Sequence, residues 1–267
     1  NKLISFDSDG FTVGNAGATN GAGDTYVGWA WDAGTSTVSN TDGSITSSVR
    51  ASATNGFSIV SWTGTGATGS IGHGLNSKPQ IVITKNRTDT AVWVVDVIGV
   101  LSSGTNYLLL GSTNGANSGG STADNSVVNI LQYNDRNGNG DAMIAYCFTS
   151  VAGYSSIGSY AGNGLADGPF VNTGFRPSWL LLKESSSNGE LWTIYDSKRN
   201  TFNVAGKQLY PSLNAAEADA TADTHARVDF LSNGFKIRGS HSSTNTSGAT
   251  ILYIAFAEHP FKTARAR

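Results

Sequence analysis

The chain contains the run Met143-Ile144-Ala145-Tyr146-Cys147-Phe148, an aromatic and β-branched segment that occurs twice more in similar form. One similar run begins 117 residues earlier in the chain, and the other begins 110 residues later. Such runs favour β-strands, and self-similarity at a domain-sized interval indicates that one β unit has been copied. The two similar runs are Tyr26-Val27-Gly28-Trp29-Ala30-Trp31 and Tyr253-Ile254-Ala255-Phe256-Ala257-Glu258.

The segments upstream of these runs repeat as well, in the same order. The stretch from Ser58 to Gly66 matches the stretch from Ser156 to Gly164, at an offset of 98 residues. Further matches along the chain predict duplication of a whole module. They are Pro79 with Pro177, Lys85 with Lys183, Trp93 with Trp192, and Asp96 with Asp196.

Period-two alternation between Gly-, Asn- and Ser-rich turns predicts an all-β protein of tandem antiparallel β-sandwich modules, of lectin or jelly-roll type. Only Ser212–Ala222 has a helical pattern, with a loop as the alternative. The matches divide the chain into a truncated C-terminal half-unit (1–34), a Gly/Ser/Thr-rich connector (35–50), and two repeats (51–150 and 151–267). The connector has an edge strand at Ser44–Val49 as an alternative, and the half-unit predicts that further sequence precedes Asn1.

Each module is predicted to close with a hairpin whose second strand is central to its sheet. The turn residues before the aromatic run, such as Asn137-Gly138-Asn139-Gly140, readily adopt the positive φ angles of tight turns. Small residues alternate within these runs, which is typical of a closely packed strand face. The predicted equivalents are Gly28 with Ala145 and Ala255, and Ala30 with Cys147 and Ala257.

The composition is poor in charge and rich in small polar residues. Charged residues make up 13% of the chain, the net charge is −2, and 33 residues are glycine. The basic residues form no dense run, so the sequence predicts no nucleic-acid partner, and no apolar stretch is long enough to predict a membrane span. A single cysteine, Cys147, excludes an intrachain disulfide and is predicted to be a buried core residue.

The search for reactive constellations predicts no catalytic residue and no cofactor. His73, His225, His241 and His259 are widely separated and predict no zinc site. The oxygen-bearing side chains of the turn before the middle aromatic run predict a structural turn, with a weak cation site as the alternative. A helical calcium loop would need Glu where Tyr146 stands. The four cation-site candidates are Asp135, Asn137, Asn139 and Asp141.

Aromatic residues are the remaining candidates for ligand contact, because sugar-binding proteins stack pyranose faces on exposed rings. Trp29, Trp31, Trp179 and Trp192 lie among apolar neighbours and are predicted to fill cores. Trp62 and its counterpart Tyr160 stand just before Gly-rich loops, so they are the predicted ligand-binding residues, with core packing as the alternative.

Four segments carry a resemblance to a known family. They are Gly56–Gly66, Gly72-His73-Gly74-Leu75, Lys78-Pro79 with Ile81–Asn86, and the ending Tyr253–Lys262. Together they resemble repeat-containing β-sandwich virion proteins of tailed, notably marine, bacteriophages. The resemblance covers most of residues 1–262.

This resemblance implies a non-enzymatic structural protein on the virion surface, as a tail-fibre component that binds host cell-surface glycan. The alternatives are a capsid decoration protein and a polysaccharide-degrading tailspike enzyme. The expected partners are other virion proteins and further copies of the chain, and analogy favours a trimer. Many copies would turn weak glycan contacts into firm attachment.

Overall fold

Antiparallel β-strands dominate this computed structural model, which describes residues 2–101, 104–221 and 226–258. The predicted all-β, β-sandwich class is confirmed, and helices within the described ranges are single turns of four residues. The chain divides after Asp32 into a small N-terminal unit and a large unit that holds both repeats.

The small unit consists of a two-stranded ribbon and one helical turn. Its aromatic run was predicted to be a strand, but within residues 2–32 no strand pairs with Tyr26–Trp31. That prediction is wrong because a strand requires ladder hydrogen bonds from a neighbour. Trp29 and Trp31 are half-buried, not fully buried as core residues would be. The elements are β1 (Leu3–Phe6), β2 (Phe11–Val13) and α1 (Gly17–Asn20).

The first repeat is a sandwich of a large and a small sheet. Its elements are β3 (Thr37–Asn40), β4 (Ser47–Ser52), β5 (Phe57–Thr63), β6 (Gly69–Gly72), β7 (Ile81–Asn86), β8 (Val94–Ile98), β9 (Thr105–Leu109), β10 (Asn117–Ser118), β11 (Thr122–Ala123), β12 (Val127–Ile130), α2 (Asn134–Asn137) and β13 (Ala142–Phe148). The large sheet has the order β10-β9-β8-β7-β13-β5-β4-β3, and the small sheet has the order β11-β12-β6. Val60 and Ala145 of the large sheet pack with Ile71 and Val128 of the small one.

The second repeat has the same arrangement with fewer strands. Its elements are β14 (Ser155–Ala161), β15 (Phe170–Asn172), β16 (Pro177–Glu184), β17 (Trp192–Asp196), β18 (Lys207–Gln208), β19 (Ala218–Asp219), β20 (Val228–Leu231), β21 (Gly234–Ile237), α3 (Ser242–Asn245) and β22 (Thr250–Ala257). The sheets have the orders β14-β22-β16-β17, β15-β21-β20 and β18-β19. Leu180 and Tyr253 pack against Phe235 and Ile237 in the core.

Strand order reveals the duplication directly. The order β8-β7-β13-β5 in the first repeat corresponds to β17-β16-β22-β14 in the second, and β11-β12-β6 corresponds to β20-β21-β15. The strands β13 and β22 are each flanked on both sides, so their predicted central position is confirmed. Cys147 lies within β13 and is fully buried, also as predicted.

The strand register corrects the predicted alignment of the final strands. Cys147 lies opposite Ser58, and Ala255 lies opposite Ser156. Since the two serines match, Cys147 corresponds to Ala255, not to Ala257. The predicted alignment was two residues out, and the error was hidden because side chains alternate with a period of two and the face is therefore unchanged.

The proposed match between Asp96 and Asp196 is also wrong. Asp96 lies opposite Val82, while Leu180, the equivalent of Val82, lies opposite Tyr195. Tyr195 is therefore the counterpart of Asp96. The one-residue difference places Asp96 and Asp196 on opposite faces of their sheets, so they have unrelated surroundings.

The predicted closing hairpin does not exist in either repeat. The strand β12 pairs with β6 and β11 in the small sheet, whereas β13 belongs to the large sheet. The strands β21 and β22 are separated in the same way. The segment between them is a helical turn that carries the chain from one layer to the other, so the Asn-Gly sequence there marks a crossover between sheets.

Two further expectations are corrected. The stretch 35–50, predicted as a connector, contains β3 and the first part of β4, which extend the large sheet of the first repeat. The alternative strand at Ser44–Val49 overlaps β4, but it was wrong in the edge position, because β3 and β5 flank β4 on both sides. The described part of the predicted helix at Ser212–Ala222 is extended or looped, with β19 inside it.

The two repeats also pack against each other, sheet to sheet. In the four-stranded sheet of the second repeat, a row of side chains on neighbouring strands points away from the core of that repeat. These side chains are nevertheless buried. The rings of Phe148 and Phe256 meet edge to face with centroids 6.1 Å apart. The indole nitrogen of Trp192 donates to the Leu109 carbonyl at 3.0 Å. The buried row is Ile157, Ile254, Leu181 and Ile194.

Candidate functional site

A buried asparagine holds the turn that precedes β13. The Oδ1 atom of Asn137 accepts from the Trp62 indole nitrogen at 2.9 Å and from the Thr65 amide at 3.2 Å. Its Nδ2 atom donates to Thr65 Oγ1 at 2.9 Å and to the Ala67 carbonyl at 2.6 Å. All four hydrogen-bonding positions of the amide are thus used, and α2 is fixed to the Gly-rich loop after β5.

The second repeat reproduces this anchor with Asn245. Its Oδ1 atom accepts from the Asn163 amide at 2.8 Å, and its Nδ2 atom donates to the Leu165 and Gly239 carbonyls, each at 2.8 Å. An asparagine at the end of the turn is therefore a structural part of the repeat. Both repeats have a crossover turn that is anchored by an asparagine. The side chains next to that asparagine differ between the two repeats.

The structure places the predicted ligand-binding aromatics away from a loop rim. Trp62 is 6% exposed and belongs to the core of the first repeat. Tyr160 packs against the core of the second repeat, and its hydroxyl donates to the Thr244 carbonyl at 2.7 Å. The predicted rim position is therefore wrong for both rings, because their polar atoms hold the crossover turns. A ligand contact by either residue stays a prediction.

The four predicted cation-site residues do not converge. Asn137 uses its amide for the anchor, and Asp141 accepts from the Asn86 side chain at 2.7 Å. Asp135 lies beside Arg136, while Asn139 is exposed at the tip of the turn. In the described ranges no group of three His, Cys, Asp or Glu residues is arranged to hold a metal ion.

The outer side of α2 borders a groove of about 440 Å³, which we call the α2 groove. This volume lies in the range of roughly 300–1,000 Å³ that is usual for small-molecule sites. Tyr133, just before α2, is 56% exposed and presents its ring there. The residues that line the groove are Ala91, Val92, Tyr107, Ser118, Gly119, Tyr133, Asn134, Asp135 and Arg136.

Arg136 forms the floor of this groove and is only 3% exposed. Its guanidinium carbon lies 4.3 Å from the centroid of the Tyr107 ring and 5.7 Å from that of Tyr133. Such cation–π contacts orient both rings. The guanidinium is also ion-paired with Asp96 at 3.6 Å and with Asp135 at 3.8 Å.

These ion pairs are too long to be hydrogen bonds. Within the described residues, Nε and Nη2 of Arg136 and Oδ1 of Asp135 are buried without a hydrogen-bond partner. Burial raises the pKa of the Asp96 carboxyl, although the Arg136 guanidinium acts in the opposite direction. A buried, incompletely satisfied charged group at the floor of a groove is more typical of a functional site than of a core.

The α2 groove belongs to the first repeat alone. In the second repeat Thr244 stands at the position of Arg136, His241 at that of Tyr133 and Ser243 at that of Asp135. Sequence reasoning missed the site because it compared what the repeats share. The signal was present as a difference, since the first copy of the turn carries the charged residues Asp135 and Arg136 where the second copy has uncharged ones.

A second groove, of about 520 Å³, crosses the edge of the eight-stranded sheet near Thr37 and Arg87. Hydroxyl groups such as those of Ser48 and Ser61 dominate its lining, to which Trp62 also contributes. Since Trp62 is almost completely buried, this groove offers a ligand no exposed ring. It is the weaker of the two candidate sites.

A cluster at α3 brings Ser243, Glu190 and His241 together without a catalytic geometry. The Ser243 hydroxyl donates to the Glu190 carboxylate at 2.7 Å. The His241 Nδ1 atom accepts from the Ser243 backbone amide at 3.2 Å and thereby caps the turn. The imidazole therefore does not accept the serine proton, as a Ser-His pair requires.

Of the four histidines, His225 and His259 lie outside the described residues. His73 is fully buried, where Nδ1 accepts from the Leu75 amide at 3.2 Å and Nε2 faces the Asp124 carbonyl at 3.3 Å. Burial lowers the pKa of His73, against the raising effects of the Asp124 carbonyl and of the Asp124 and Asp42 carboxylates. The ring is accordingly neutral in the folded protein near pH 7.

Acidification should destabilise the protein through His73. The unfolded state, with an imidazole pKa of about 6.5, binds the proton more readily than the folded state. Stability is therefore fully present above about pH 6.5 and falls as the pH drops toward the lowered folded pKa, by at most about 1.4 kcal/mol per pH unit.

Urea unfolding at pH 7.5 and pH 5 should show a smaller loss of stability for His73→Gln than for the wild type. His241→Gln, at an exposed histidine, is the control; an unchanged loss in His73→Gln would contradict the assignment.

Comparison with known proteins gives a family but no activity. The sequence model of a family described as a domain of unknown function (DUF7483) matches residues 1–260. Neither the curated proteins nor the solved structures include one with significant similarity to the chain. In the described part of the chain, no helix has the length and hydropathy needed to cross a membrane.

Proposed function

Since the chain belongs to the DUF7483 domain family, whose function is not known, we propose a function from its own residues and from its resemblance to phage virion proteins. The proposal is a non-enzymatic recognition protein that binds host cell-surface glycan through the α2 groove. It acts on the virion surface as a tail-fibre component. Its partners are further copies of itself and other virion proteins.

The observation that carries the proposal is the composition of the α2 groove together with the hydrogen-bonded anchor of its turn. An exposed Tyr133 ring offers an apolar face for a pyranose, and it lies beside the carboxylate of Asp135 and the amide of Asn134. Aromatic faces combined with a few placed polar groups are usual in small-molecule sites. Because Asn137 anchors the turn, the ring and the polar groups are held in place before a ligand arrives, which limits the entropic cost of binding.

Two other features support a role on an exposed particle. Both repeats are small sandwiches packed sheet to sheet, and only 13% of the chain is charged. A surface of hydroxyls and amides suits contact with polysaccharide. Each chain has one α2 groove in its described part, so firm attachment would come from many copies in a symmetric oligomer.

Removing the Tyr133 ring should weaken glycan binding at least tenfold, which corresponds to about 1.4 kcal/mol. The test measures binding of purified protein to immobilised host surface polysaccharides, for the wild type and for Tyr133→Ala. Phe170→Ala, which removes an exposed ring from the second repeat, is the matched control and should bind like the wild type.

Three outcomes would count against the proposal. Absence of wild-type binding to every host polysaccharide would overturn glycan recognition. Release of shortened saccharide chains would instead favour a tailspike enzyme. Location of the chain across the capsid shell of intact particles, by immunogold labelling, would favour a decoration protein.

A further inference from the structure

We propose that the α2 groove selects neutral pyranose sugars and discriminates against saccharides that carry carboxylate, sulfate or phosphate groups. This inference rests on the proposed glycan recognition and names the class of ligand. Three properties of the groove support it: the balance of charge, the supply of hydrogen-bond acceptors, and the placement of the rings.

The positive charge at the floor is already balanced. Arg136 lies between the carboxylates of Asp96 and Asp135, at 3.6 Å and 3.8 Å. To bind an anionic ligand, the groove would need an accessible cation whose charge is not already neutralised by a neighbouring carboxylate. Arg136 does not meet that need, because two carboxylates already balance its charge and its Nε and Nη2 atoms are buried from solvent.

A second cation, bonded to a residue of the groove lining, is occupied as well. The Lys85 ammonium group donates to the backbone carbonyls of Asn86, Asp89 and Ala91, and Ala91 is part of the groove lining. These three bonds use all the donors of a lysine. The Asp89 side chain meanwhile accepts from Asn134 at 2.7 Å, so it brings another carboxylate to the rim.

The ionisable side chains that these described contacts link to the groove are three aspartates and two basic residues. The carboxylates are those of Asp89, Asp96 and Asp135, and the cations are Lys85 and Arg136. Hydrogen bonds from the Thr90 backbone and from Asn134 lower the pKa of Asp89, which keeps that exposed group ionised. Because burial raises the pKa of Asp96 and so favours its neutral form, an incoming anion would meet no net positive charge.

The hydrogen-bonding groups at the rim complement hydroxyl donors. An ionised carboxylate such as Asp135 can only accept. The amide nitrogen of Asn134 donates to Asp89, which leaves the amide oxygen of Asn134 to accept. A neutral sugar supplies O–H donors to both, whereas a carboxylate or sulfate offers only acceptors and would leave these groups facing each other unpaired.

The rings supply the contact that a neutral ligand needs in place of charge. Tyr133 is 56% exposed, and Val92, 48% exposed, is an apolar neighbour in the same groove. Tyr107 is held beneath by the guanidinium at 4.3 Å. A pyranose can therefore place its C–H face on Tyr133 while its hydroxyls reach Asp135 and Asn134.

The test compares two ligands that differ in one group. Fully methyl-esterified oligogalacturonates and free oligogalacturonates share the ring and the linkage, but only the free form carries a charged carboxylate at C6. We expect the wild type to bind the neutral ligand at least tenfold more tightly, with little change between low and high salt. Asp135→Asn should lower the preference severalfold, by weakening the neutral and strengthening the acidic ligand. Asp9→Asn, at an exposed position of the small unit, is the control; circular dichroism verifies folding of each variant.

The outcomes separate this inference from the proposed function. Equal or tighter binding of the free oligogalacturonate by the wild type would overturn the neutral class and leave glycan recognition standing. If neither Asp135→Asn nor Tyr133→Ala changes the preference for the neutral ligand, the ligand binds outside the α2 groove and the inference is wrong. If neither these ligands nor native host polysaccharides bind, the proposed function fails together with the inference.

Discussion

Replacing Arg136 with methionine should lower the free energy of unfolding by about 3–5 kcal/mol. The guanidinium is 3% exposed and lies 3.6 Å from Asp96, which is 1% exposed. Removal of the cation leaves that carboxylate buried without an opposite charge, which is far more costly than loss of a surface ion pair. Urea or thermal unfolding measures the effect.

The pH dependence of this loss identifies its cause. Burial already raises the pKa of Asp96 above its unfolded value of about 3.9, and loss of Arg136 should raise it further. With a raised folded pKa, the folded state binds more protons than the unfolded state. Stability from protonated Asp96 is therefore present at low pH and is lost as the pH rises through the folded pKa. The deficit of Arg136→Met should be smaller at pH 4.5 than at pH 7.

A double-mutant cycle supplies the control. In an Asp96→Asn background the Arg136→Met deficit should shrink and lose most of its dependence on pH, because only the partly exposed carboxylate of Asp135 then remains beside the lost cation. A deficit of equal size in both backgrounds would show that Arg136 acts by packing against Tyr107 and Tyr133, not through its charge.

Replacing Asn137 with alanine should destabilise the protein by roughly 2–4 kcal/mol. The change removes four hydrogen bonds and leaves the buried Trp62 indole nitrogen without its partner. An unsatisfied buried donor costs about 1–3 kcal/mol, and each neutral bond contributes about 0.5–1.5 kcal/mol. Chemical unfolding followed by tryptophan fluorescence reports both the stability and the surroundings of Trp62.

The chain offers two matched comparisons for this variant. Asn139→Ala, two residues further at an exposed position, should change stability by less than about 0.5 kcal/mol. Asn245→Ala should be as destabilising as Asn137→Ala, because it breaks the equivalent anchor in the second repeat. A mild effect of Asn137→Ala would mean that the turn is held mainly by the hydrogen bonds that its backbone amides donate to the Tyr133 carbonyl.

The fold was predictable because its signal is spread over many residues. Alternation with a period of two indicated antiparallel sandwiches, and the central position of β13 was predicted correctly although the hairpin from which it was predicted does not exist. Details that depend on one or two residues were less predictable. The match of Asp96 to Asp196 was one residue out, and it therefore equated two residues that lie on opposite sheet faces. The aromatic run at Tyr26 has the sequence of a strand but no neighbouring strand in residues 2–32 to make it one.

The candidate site was hidden for a related reason. Trp62 and Tyr160 attracted notice because they are aromatic and precede Gly-rich loops, yet their polar atoms serve internal anchors. Tyr133 and Arg136 lie in a turn that resembles a cation loop by its asparagines and aspartates. Only the three-dimensional contacts distinguish a cation loop from the border of a groove. Asn137 faces inward, whereas Arg136 faces Tyr107, which lies on another strand.

The sequence by itself determined the all-β class, the duplicated sandwich module, the central strand of each sheet and the burial of Cys147, because these follow from local periodicity and internal repetition. Only the tertiary structure decided which strands share a sheet, that the two repeats pack sheet to sheet, and that Asp96, Tyr107, Tyr133 and Arg136 meet at one groove. The reason is that the pairing of strands distant in sequence depends on long-range hydrogen bonds and on burial of charge, and neither leaves a periodic trace along the chain.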